Sequence, residues 1–284
     1  MPREKVLIVG LGEVGLPLYK LLAESELFEV YGFDIDQEKM EKLHQNSIPR
    51  DIRVMHICIQ CFHQKEFVDI VSDYARRFKP ELIIIDSTVP PQTTIHVHSR
   101  CHCLVAHSPI RGVHQGPEHM MWEIRRWTKY IGGATQEAAE AAREHLKKLG
   151  LKTKTLRSST ETELAKLFET TYRAWMISCF QEMHRIAAHF DAKFDDVVDF
   201  LEDTHRVRLD RPVMFPGEIG GHCLIPNVNL LQDNCVSEFF KLILKSNEKR
   251  KQDMKNPKTR EEAEEIRKRA ENLQKDLMSK WSGK

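Results

Sequence analysis

The chain has 284 residues, of which 41% are hydrophobic and 30% are charged, and its formal net charge at pH 7 is +1. This composition is typical of a globular protein; the small charge gives no reason to expect a nucleic-acid partner, and no apolar stretch reaches the roughly 20 residues of a membrane span. Seven scattered cysteines and an N-terminus without a leader pattern predict a reducing, cytoplasmic location rather than a disulfide framework.

Strand-like and helix-like segments alternate through the first 150 residues. The predicted strands are KVLIVG, FEVYGFD, RVMHICIQ, ELIIIDS, CLVAHSP and KYIGGA, and the predicted helices are LPLYKLLAES, DQEKMEKLHQ, KEFVDIVSDYARRF and QEAAEAAREHLKKLG. β-Branched runs between amphipathic helices indicate a parallel sheet covered on both faces. We therefore predict an α/β, Rossmann-type, doubly wound domain over residues 1–156.

The stretch GLGEVGLPL follows the first predicted strand and opens the first predicted helix. Its G-x-G-x-x-G spacing permits a tight turn at Gly10, close approach of a pyrophosphate at Gly12 and close helix packing at Gly15. Asp34 ends the second predicted strand, where a carboxylate accepts hydrogen bonds from ribose hydroxyls and repels a 2′-phosphate. We predict an NAD site, with a glycine turn for a different ligand as the alternative. Its loop residues are Gly10, Gly12, Glu13, Val14 and Gly15.

The next part of the chain, residues 157–247, is predicted to form an all-helical domain. Residues 161–190 contain no turn residue and have wide apolar coverage, which predicts one long, mostly buried helix. FDDVVDFLED and VNLLQDNCVSEFFKLILKSN are also predicted as helices, with a Gly/Pro loop at 216–226 between them. A long apolar helix of this kind is not fully covered by one small domain, so we expect a homodimer.

Two residues of this half are candidates for chemistry. Cys223 follows two glycines, and such a loop surrounds a nucleophilic thiol with backbone amides; the alternative is an inert buried cysteine. Lys166 is a charge on an otherwise apolar helix, either extended towards solvent or facing a cofactor cleft. The spacing of the residues alone does not decide between these interpretations.

Five segments of the chain together resemble the UDP-glucose/GDP-mannose dehydrogenase family. They are GLGEVGLPL, DSTVPPQTT (86–94), HSPIRG (107–112), ETELAKLFETTYRA (161–174) and PGEIGGHCLIP (216–226). They occur in the family's order and cover residues 1 to about 250. The resemblance implies an N-terminal Rossmann domain, a central helical domain that dimerises and a C-terminal nucleotide-sugar-binding domain.

The resemblance also implies a reaction, in which the C6 alcohol of a nucleotide sugar is oxidised to a carboxylate with NAD. Cys223 matches the family cysteine that captures the aldehyde, and Lys166 matches the lysine that stabilises the developing oxyanion. Lys39 and Thr88 match positions near the NAD ribose and the nicotinamide.

Three positions depart from the family's pattern. Ile110 and Asn227 stand where the family has a glutamate and an aspartate, and Thr170 stands where it has an asparagine. We retain Asn227 and Thr170 as candidate catalytic-site positions. Because the replaced carboxylates would move protons, a thioester hydrolysis loses its bases here. The alternative is that His222 or His107 replaces the missing base.

The segment after Asn247 shows no strand alternation and is not expected to form the family's third domain. Its helical apolar stripe predicts a charged, helical tail over 248–284 that docks on its own protein or on a partner. The stripe consists of Ile266, Ala270, Leu273 and Leu277.

A cluster of histidines and cysteines surrounds residue 100. Its members are His96, His98, Cys101, His102, Cys103, His107, His114 and His119. Cys101 and Cys103 lack the usual zinc-ligand spacing, and an extended segment would bring alternate residues to one face by chance. We predict no metal here, and we expect His107 to line the cleft at the sheet edge.

The preferred hypothesis is an NAD-dependent oxidoreductase acting on an alcohol or aldehyde of a sugar-like or hydroxy-acid substrate. Two alternatives stay open: a catalytically impaired NAD-binding or scaffold protein, and a two-electron dehydrogenase of the β-hydroxyacid type in which Cys223 is incidental. The retained Cys223 and Lys166 favour an enzyme, whereas Ile110 and Asn227 favour impairment.

Overall fold

Short runs of β-branched and other apolar residues form a seven-stranded sheet in the described part of the chain. The computed structural model describes residues 3–43, 45, 47–113, 115–235 and 237–282. The strands are β1 (Glu4–Val9), β2 (Phe28–Phe33), β3 (Val54–Ile57), β4 (Leu82–Ile85), β5 (Leu104–His107), β6 (Lys129–Gly133) and β7 (Thr153–Thr155). The helices between them are α1 (Gly15–Glu24), α2 (Gln37–Glu41), α3 (Gln64–Phe78), α4 (Thr93–Arg100), α5 (Pro117–Arg126) and α6 (Gln136–Lys148).

The strand order is β2-β1-β3-β4-β5-β6-β7, and β1 to β5 are parallel. The chain reverses its winding direction at β1, which lies between β2 and β3. In open α/β sheets, ligands bind outside the carboxyl ends of the strands at such a switch point. The glycine loop after β1 lies there, and the predicted Rossmann-type α/β fold is confirmed.

Alternate residues along the strands fill two separate cores, one on each face of the sheet. Val6, Ile8 and Ile84 pack with residues of α1, α5 and α6 on one face. Leu7 and Ile83 pack with residues of α3 and α4 on the other. Both faces are buried, as expected for a mainly parallel sheet covered by helices.

Two local predictions for this part of the chain are wrong. β6 runs antiparallel to β5 rather than parallel. His96 and His98, expected in an extended segment, lie in the helix α4, which begins after Gln92 and ends at Arg100. The β-branched residues of TTIHVHSR have low helix propensity, and tertiary packing of Thr93, Thr94 and Val97 overrides it.

The remaining residues form five helices. They are α7 (Ser159–His189), α8 (Phe194–Arg208), α9 (Leu224–Gln232), α10 (Glu238–Asp253) and α11 (Pro257–Ser282). α7 confirms the predicted long helix. The predicted single helix over 228–247 is wrong, because α9 ends at Gln232 and Ser237 caps a new helix by accepting a hydrogen bond from the Phe239 amide.

α11 packs on its own chain through the predicted apolar stripe. Ile266 and Leu273 are buried against Phe180 of α7 and Val198 of α8. Arg269 adds ion pairs to α8, with partners Asp195, Asp199 and Glu202. The tail therefore covers an apolar face within this protein.

The expectation that α7 is mostly buried is wrong for the single chain. Several large apolar side chains on one side of α7 and in the turn after it are exposed to solvent, by 52% for Phe168 and 74% for Phe190. The exposed members of this α7 face are Phe168, Tyr172, Met183 and Ile186 in the helix and Phe190 directly after it. Their spacings of about one or three helical turns place them on one side of the helix.

The contacts divide the chain into two compact units, one ending at Leu167 and the other beginning at Phe168. The division falls within α7, and residues 248–284 belong to the second unit. The predicted functional division into 1–156, 157–247 and 248–284 stays a prediction.

Candidate functional site

The loop between β1 and α1 has the geometry that the glycine spacing predicts. Gly10 has a φ of +90°, and a Cβ there would lie 2.8 Å from the Cys58 carbonyl oxygen. A Cβ on Gly15 would lie 1.7 Å from the Gly10 carbonyl oxygen, so only glycine fits this turn. Around Gly12, in contrast, a Cβ would meet no described atom within 4 Å. The loop is therefore tight at its base and open at Gly12.

The start of α1 provides backbone donors beside this open space. Val14 is the N-cap residue of α1, and its side chain makes no capping hydrogen bond. Backbone N–H groups at a helix N-terminus attract an anion, because they lack partners within the helix and lie at the positive end of its dipole. Glu13 precedes Val14 in the same loop. The arrangement suits a phosphate group.

Asp34 follows β2 and faces the glycine loop. Its carboxylate accepts hydrogen bonds from the Leu11 amide at 2.7 Å, the Asp36 amide at 3.0 Å and the Lys39 ammonium at 3.2 Å. Burial opposes ionisation of Asp34, but these hydrogen bonds and the Lys39 charge outweigh it and lower its pKa. Asp34 is thus a negatively charged acceptor beside the loop, with Lys39 as its counter-ion.

The segment after β4 forms a second wall at the same edge of the sheet. Thr88 is partly exposed, whereas Asp86 and Ser87 before it are buried. The Ser87 hydroxyl donates to the backbone oxygens of Ile57 and Ile59. These bonds tie the segment that carries Thr88 to the end of β3.

A buried polar network behind this segment was not predicted from the sequence. The Asp86 carboxylate bonds the His56 ring at 2.7 Å and accepts from the Lys129 ammonium at 3.0 Å. His56 also contacts the His145 ring at 3.0 Å between their Nε2 atoms. Burial opposes ionisation of Asp86, but Lys129 and His56 outweigh it and lower its pKa. In the sequence, Asp86 and Lys129 resemble ordinary surface charges, and only the fold brings them together with His56.

His107 does not line a cleft, which corrects the expectation from the sequence. Its side chain is fully buried and its ring nitrogens contact Thr162 Oγ1 at 2.8 Å and the Ser87 carbonyl oxygen at 3.1 Å. Burial lowers the pKa of His107 to about 3. A neutral, enclosed imidazole with both nitrogens in use connects elements and does not exchange protons with a substrate.

The first turns of α7 carry Lys166 and a buried glutamate that the sequence reasoning missed. Lys166 is partly buried, and Glu163, three residues earlier, is completely buried. The Glu163 carboxylate accepts from the Gln92 and Thr94 amides at 2.6 and 2.8 Å and from the Thr94 hydroxyl at 2.6 Å. The one available signal was its position one helical turn before the candidate lysine.

In the second unit, Cys223 is the N-cap residue of α9 and is partly exposed. The preceding loop is open, with no described atom within 4 Å of a Cβ on Gly220 or Gly221, and Gly221 has a φ of +78°. A partly exposed thiol at the start of a helix lies where backbone N–H groups stabilise a thiolate. The predicted position of Cys223 in a glycine loop therefore agrees with the structure.

Thr170 and Asn227, the two substituted positions, lie together in the second unit. The Asn227 side-chain amide donates to the Thr170 hydroxyl at 3.1 Å. Asn227 is buried, and its backbone amide donates to the Cys223 carbonyl oxygen. This pair forms a neutral polar contact one turn along α9 from Cys223, with no carboxylate in it. Lys166 belongs to the first unit and Cys223 to the second.

Ile110 is buried in the first core of the sheet domain. A side chain there packs against apolar neighbours and has no ionisable group. The position is thus structural in this chain.

The histidine and cysteine cluster shows no metal-binding geometry among the described residues, which contain no group of three or more His, Cys, Asp or Glu side chains placed for a metal ion. His114 lies outside the described residues. The absence of a metal stays a prediction. In the same described part, no helix is long and apolar enough to cross a membrane.

Comparisons with known proteins support the resemblance seen in the sequence. Residues 160–249 match the model of the central domain of the UDP-glucose/GDP-mannose dehydrogenase family. A UDP-N-acetyl-D-mannosamine dehydrogenase of Methanocaldococcus jannaschii is 26% identical over 261 residues, which cover 78% of this chain and 60% of that protein. This chain therefore spans about 60% of the length of such curated relatives.

Solved structures show the same fold. A UDP-D-ManNAc dehydrogenase from Pyrococcus horikoshii has a TM-score of 0.69 at 21% identity, covering 86% of this chain and 68% of that one. A 3-hydroxyisobutyrate dehydrogenase from Mycobacterium tuberculosis has a TM-score of 0.65 at 16% identity, covering 89% and 94%. The predicted family resemblance is confirmed.

Proposed function

We propose that the protein is an NAD-dependent oxidoreductase that acts on an alcohol or aldehyde carbon of a nucleotide sugar. The observation that carries this proposal is the glycine loop with Asp34 and Lys39 beside it, on a chain whose residues 160–249 match the dehydrogenase family model. The named activity of the relatives, UDP-N-acetyl-D-mannosamine dehydrogenation, suggests the sugar class.

The residues of the first unit fit a dinucleotide. The open space at Gly12 and the backbone donors at the start of α1 suit a pyrophosphate, and Asp34 provides a carboxylate for ribose hydroxyls. When bound, NAD would accept a hydride from the substrate carbon. Thr88, at the end of β4, is the proposed neighbour of the nicotinamide.

Asp34 is the basis for proposing NAD rather than NADP. Its lowered pKa keeps the carboxylate charged, and Lys39 is already paired with it, so a 2′-phosphate would meet a negative group. Calorimetric titration of the protein with each nucleotide tests this. We expect NAD to bind at least about tenfold more tightly, and equal or tighter NADP binding would contradict the assignment.

Cys223 and Lys166 are the proposed chemical groups. Oxidation of the alcohol releases a hydride and a proton and leaves an aldehyde. The Cys223 thiol would lose its proton as its sulfur adds to the aldehyde carbon. A second hydride would pass from that carbon to a second molecule of NAD and leave a thioester, which water cleaves to a carboxylate and the free thiol. Lys166 would stabilise the oxygen that becomes negative when the sulfur adds.

The neutral contact between Asn227 and Thr170 bears on the end point of this reaction. Water attack on a thioester needs a proton acceptor, and neither Asn227 nor the buried Ile110 is one. His107 is enclosed and neutral, so it does not replace them, and His222, which is exposed beside Cys223, is the remaining candidate for a replacement base. We therefore propose that oxidation stops after two electrons or that a thioester accumulates on Cys223.

A homodimer is part of the proposal. The α7 face exposes four large apolar side chains on one side of a 31-residue helix, and Phe190 directly after the helix extends it. Exposed apolar surface of this extent is typical of an interface, and a second copy of the same helix would cover it.

The seven free cysteines support a reducing, cytoplasmic location.

A second candidate is a two-electron hydroxy-acid dehydrogenase. The chain covers 94% of the 3-hydroxyisobutyrate dehydrogenase structure, and the missing bases suit a reaction without thioester hydrolysis. Absorbance of NADH, measured with UDP-N-acetyl-D-mannosamine, UDP-glucose and 3-hydroxyisobutyrate in turn, separates the two candidates. NADH with a nucleotide sugar supports the first, NADH with the hydroxy acid alone supports the second, and none with any substrate overturns both.

A further inference from the structure

Glu163 is an ionisable side chain without solvent contact. It lies in the second turn of α7, in the part of that helix that belongs to the first unit. Its relative exposure is 0%. Burying a carboxylate is costly unless strong hydrogen bonds compensate. The hydrogen-bond partners of Glu163 therefore show which part of the structure the buried carboxylate stabilises.

Three hydrogen bonds join this carboxylate to the start of α4. Oε2 accepts from the Gln92 amide, and Oε1 accepts from the Thr94 amide and the Thr94 hydroxyl. These backbone N–H groups lie at the N-terminal end of α4, where no residue of the helix itself accepts from them. Glu163 therefore caps α4 from a different helix, across 69 to 71 positions of sequence.

Gln92 shows that the capped segment is held in an unusual conformation. Its φ is +71°, in the left-handed region that non-glycine residues rarely adopt. Gln64 supports the same turn by donating to the Pro91 carbonyl oxygen and to Thr93 Oγ1. The turn is thus fixed on both sides, by α3 and by Glu163.

A second connection between the same two segments runs through His107 of β5. Thr162, adjacent to Glu163, contacts the His107 ring at 2.8 Å, and the other ring nitrogen contacts the Ser87 carbonyl oxygen. The start of α7 is therefore attached to the segment 87–94 directly by Glu163 and indirectly by Thr162. Thr88 lies within that segment.

We propose that Glu163 is a positioning residue that fixes the orientation of Lys166 relative to the segment carrying Thr88. Lys166 follows Glu163 by three residues, which places it about 4.5 Å further along the helix axis and about 60° around it. Because Glu163 is so close in the helix, its hydrogen bonds set both the rotation of Lys166 about the helix axis and its position along that axis. Misplacing a catalytic group by about 1 Å costs about 10²-fold in rate, so such control has a measurable effect.

The catalytic role of Lys166 in this proposal rests on the proposed function, but the positioning of Lys166 by Glu163 does not. The first experiment therefore measures the Lys166 amine without any substrate. The full chain is treated with a limiting amount of an amine-acylating reagent, and mass spectrometry gives the labelling rate of Lys166 in each variant. Circular dichroism and thermal unfolding confirm that each variant is folded.

Glu163→Gln keeps the shape of the side chain but turns one acceptor into a donor that faces a backbone N–H. We expect it to change the labelling rate of Lys166 by at least about threefold. The matched control is Glu161→Gln, at the start of α7, whose carboxylate is partly exposed and accepts a hydrogen bond from the nearby Ser158 hydroxyl. The control should leave the Lys166 rate unchanged.

An unchanged Lys166 rate in folded Glu163→Gln would overturn the proposal. Should this variant not fold, Glu163→Asp keeps the charge but shortens the side chain by one methylene group, and the same comparison applies. A change of equal size in Glu161→Gln would also overturn the proposal, because it would show a general effect on the helix.

The second experiment is a double-mutant cycle on the turnover number, with Lys166→Met as the other substitution. If Glu163 acts through Lys166, Glu163→Gln lowers turnover about 10- to 100-fold in the natural background and less than about twofold beside Lys166→Met. Effects that multiply would show a merely structural role and overturn the proposal. If the natural chain oxidises no nucleotide sugar, the proposed function fails, and the labelling rates alone decide the role of Glu163.

Discussion

The two units of this protein differ in how their exposed apolar residues are arranged. In the first unit, the sheet residues Val6 and Ile84 are completely buried between strands and helices of the same unit. In the second unit, Val198 is completely buried as well, but Phe190 and Phe200 are exposed by 74% and 77%, and the exposed residues of the α7 face lie on one side of one helix. Both units therefore have a buried core, and the second also presents an apolar helix face to solvent.

This difference indicates that the two units contribute different parts of the proposed function. The first unit provides a rigid loop that depends on the backbone geometry of Gly10 and Gly15, which suits a cofactor that many enzymes share. The second unit presents a thiol, Cys223, in an open loop and an uncovered helix face. We expect substitutions in the glycine loop to affect folding and cofactor binding, and those at Cys223 and on the α7 face to affect chemistry and assembly.

The largest effect should come from Cys223 in the second unit. Cys223→Ser removes the thiol, and we expect the loss of any thioester and at least about a 10³-fold lower rate of aldehyde oxidation. NAD affinity should stay unchanged, because the cofactor loop belongs to the other unit. The matched control is Cys235→Ser, at an exposed cysteine, which should retain full activity; equal activity in both variants would remove Cys223 from the mechanism.

A pair of glycine substitutions separates folding from cofactor binding in the first unit. Gly15→Ala places a Cβ against the Gly10 carbonyl oxygen and should lower the free energy of unfolding by about 3 kcal/mol. Gly12→Ala meets no described atom, so it should change stability by less than about 1 kcal/mol yet weaken NAD binding at least about tenfold. Urea unfolding and calorimetry measure the two effects, and unchanged NAD affinity in Gly12→Ala would contradict the proposed pyrophosphate position.

Charging the α7 face tests whether the second unit is completed by another copy. Ile186→Asp should raise the dimer dissociation constant by about tenfold or more, because a carboxylate would be buried without a partner. Light scattering over a dilution series measures the constant. Trp122→Asp, at an exposed aromatic of the first unit, serves as control, and a natural chain that is monomeric at micromolar concentration would contradict the dimer.

The last prediction concerns the pH dependence of stability at Glu163. Burial raises its pKa from the ordinary 4.5 to about 7, although the bonds from Thr94 and Gln92 favour the ionised form. A carboxyl whose pKa is raised in the folded state contributes its full stability below about pH 4.5, and that contribution is lost as pH rises through 7. At about 1.4 kcal/mol per pKa unit, the loss is at most about 3.5 kcal/mol.

Glu163→Gln removes this titration. Between pH 5 and pH 8, the free energy of unfolding of this variant should therefore fall less than that of the natural chain. Urea unfolding at the two pH values gives the comparison, with Glu161→Gln as control because its carboxylate is not enclosed. Parallel pH slopes for the natural chain and Glu163→Gln would contradict the raised pKa.

The first unit was predictable from its sequence to a greater extent than the second. Strand runs, the glycine spacing and Asp34 are local signals, and the structure places them as expected. The direction of β6 was not predictable, because pairing of a strand with its neighbour depends on the path of the chain and not on its own residues. The break before α10 did have a signal, the Ser237 cap.

Buried charges were the hardest features to predict. Glu163, Asp86 and Lys129 look like ordinary surface residues in the sequence, since charged side chains are rarely buried. Their partners lie 21 to 71 positions away, so no local pattern connects them. In the second unit, the periodicity of α7 predicted the helix correctly, but it did not show which apolar face stays uncovered.

The most direct test of the proposed activity is the amount of NADH formed per UDP-N-acetyl-D-mannosamine consumed by the natural chain, with the intact mass of the protein measured after mixing. Because Asn227 and Ile110 provide no base for thioester hydrolysis, we predict about one NADH per sugar, or a thioester adduct on Cys223. Rapid formation of about two NADH per sugar without an adduct would contradict the proposed end point. No NADH from any nucleotide sugar, by a chain that binds NAD, would contradict the proposed function itself.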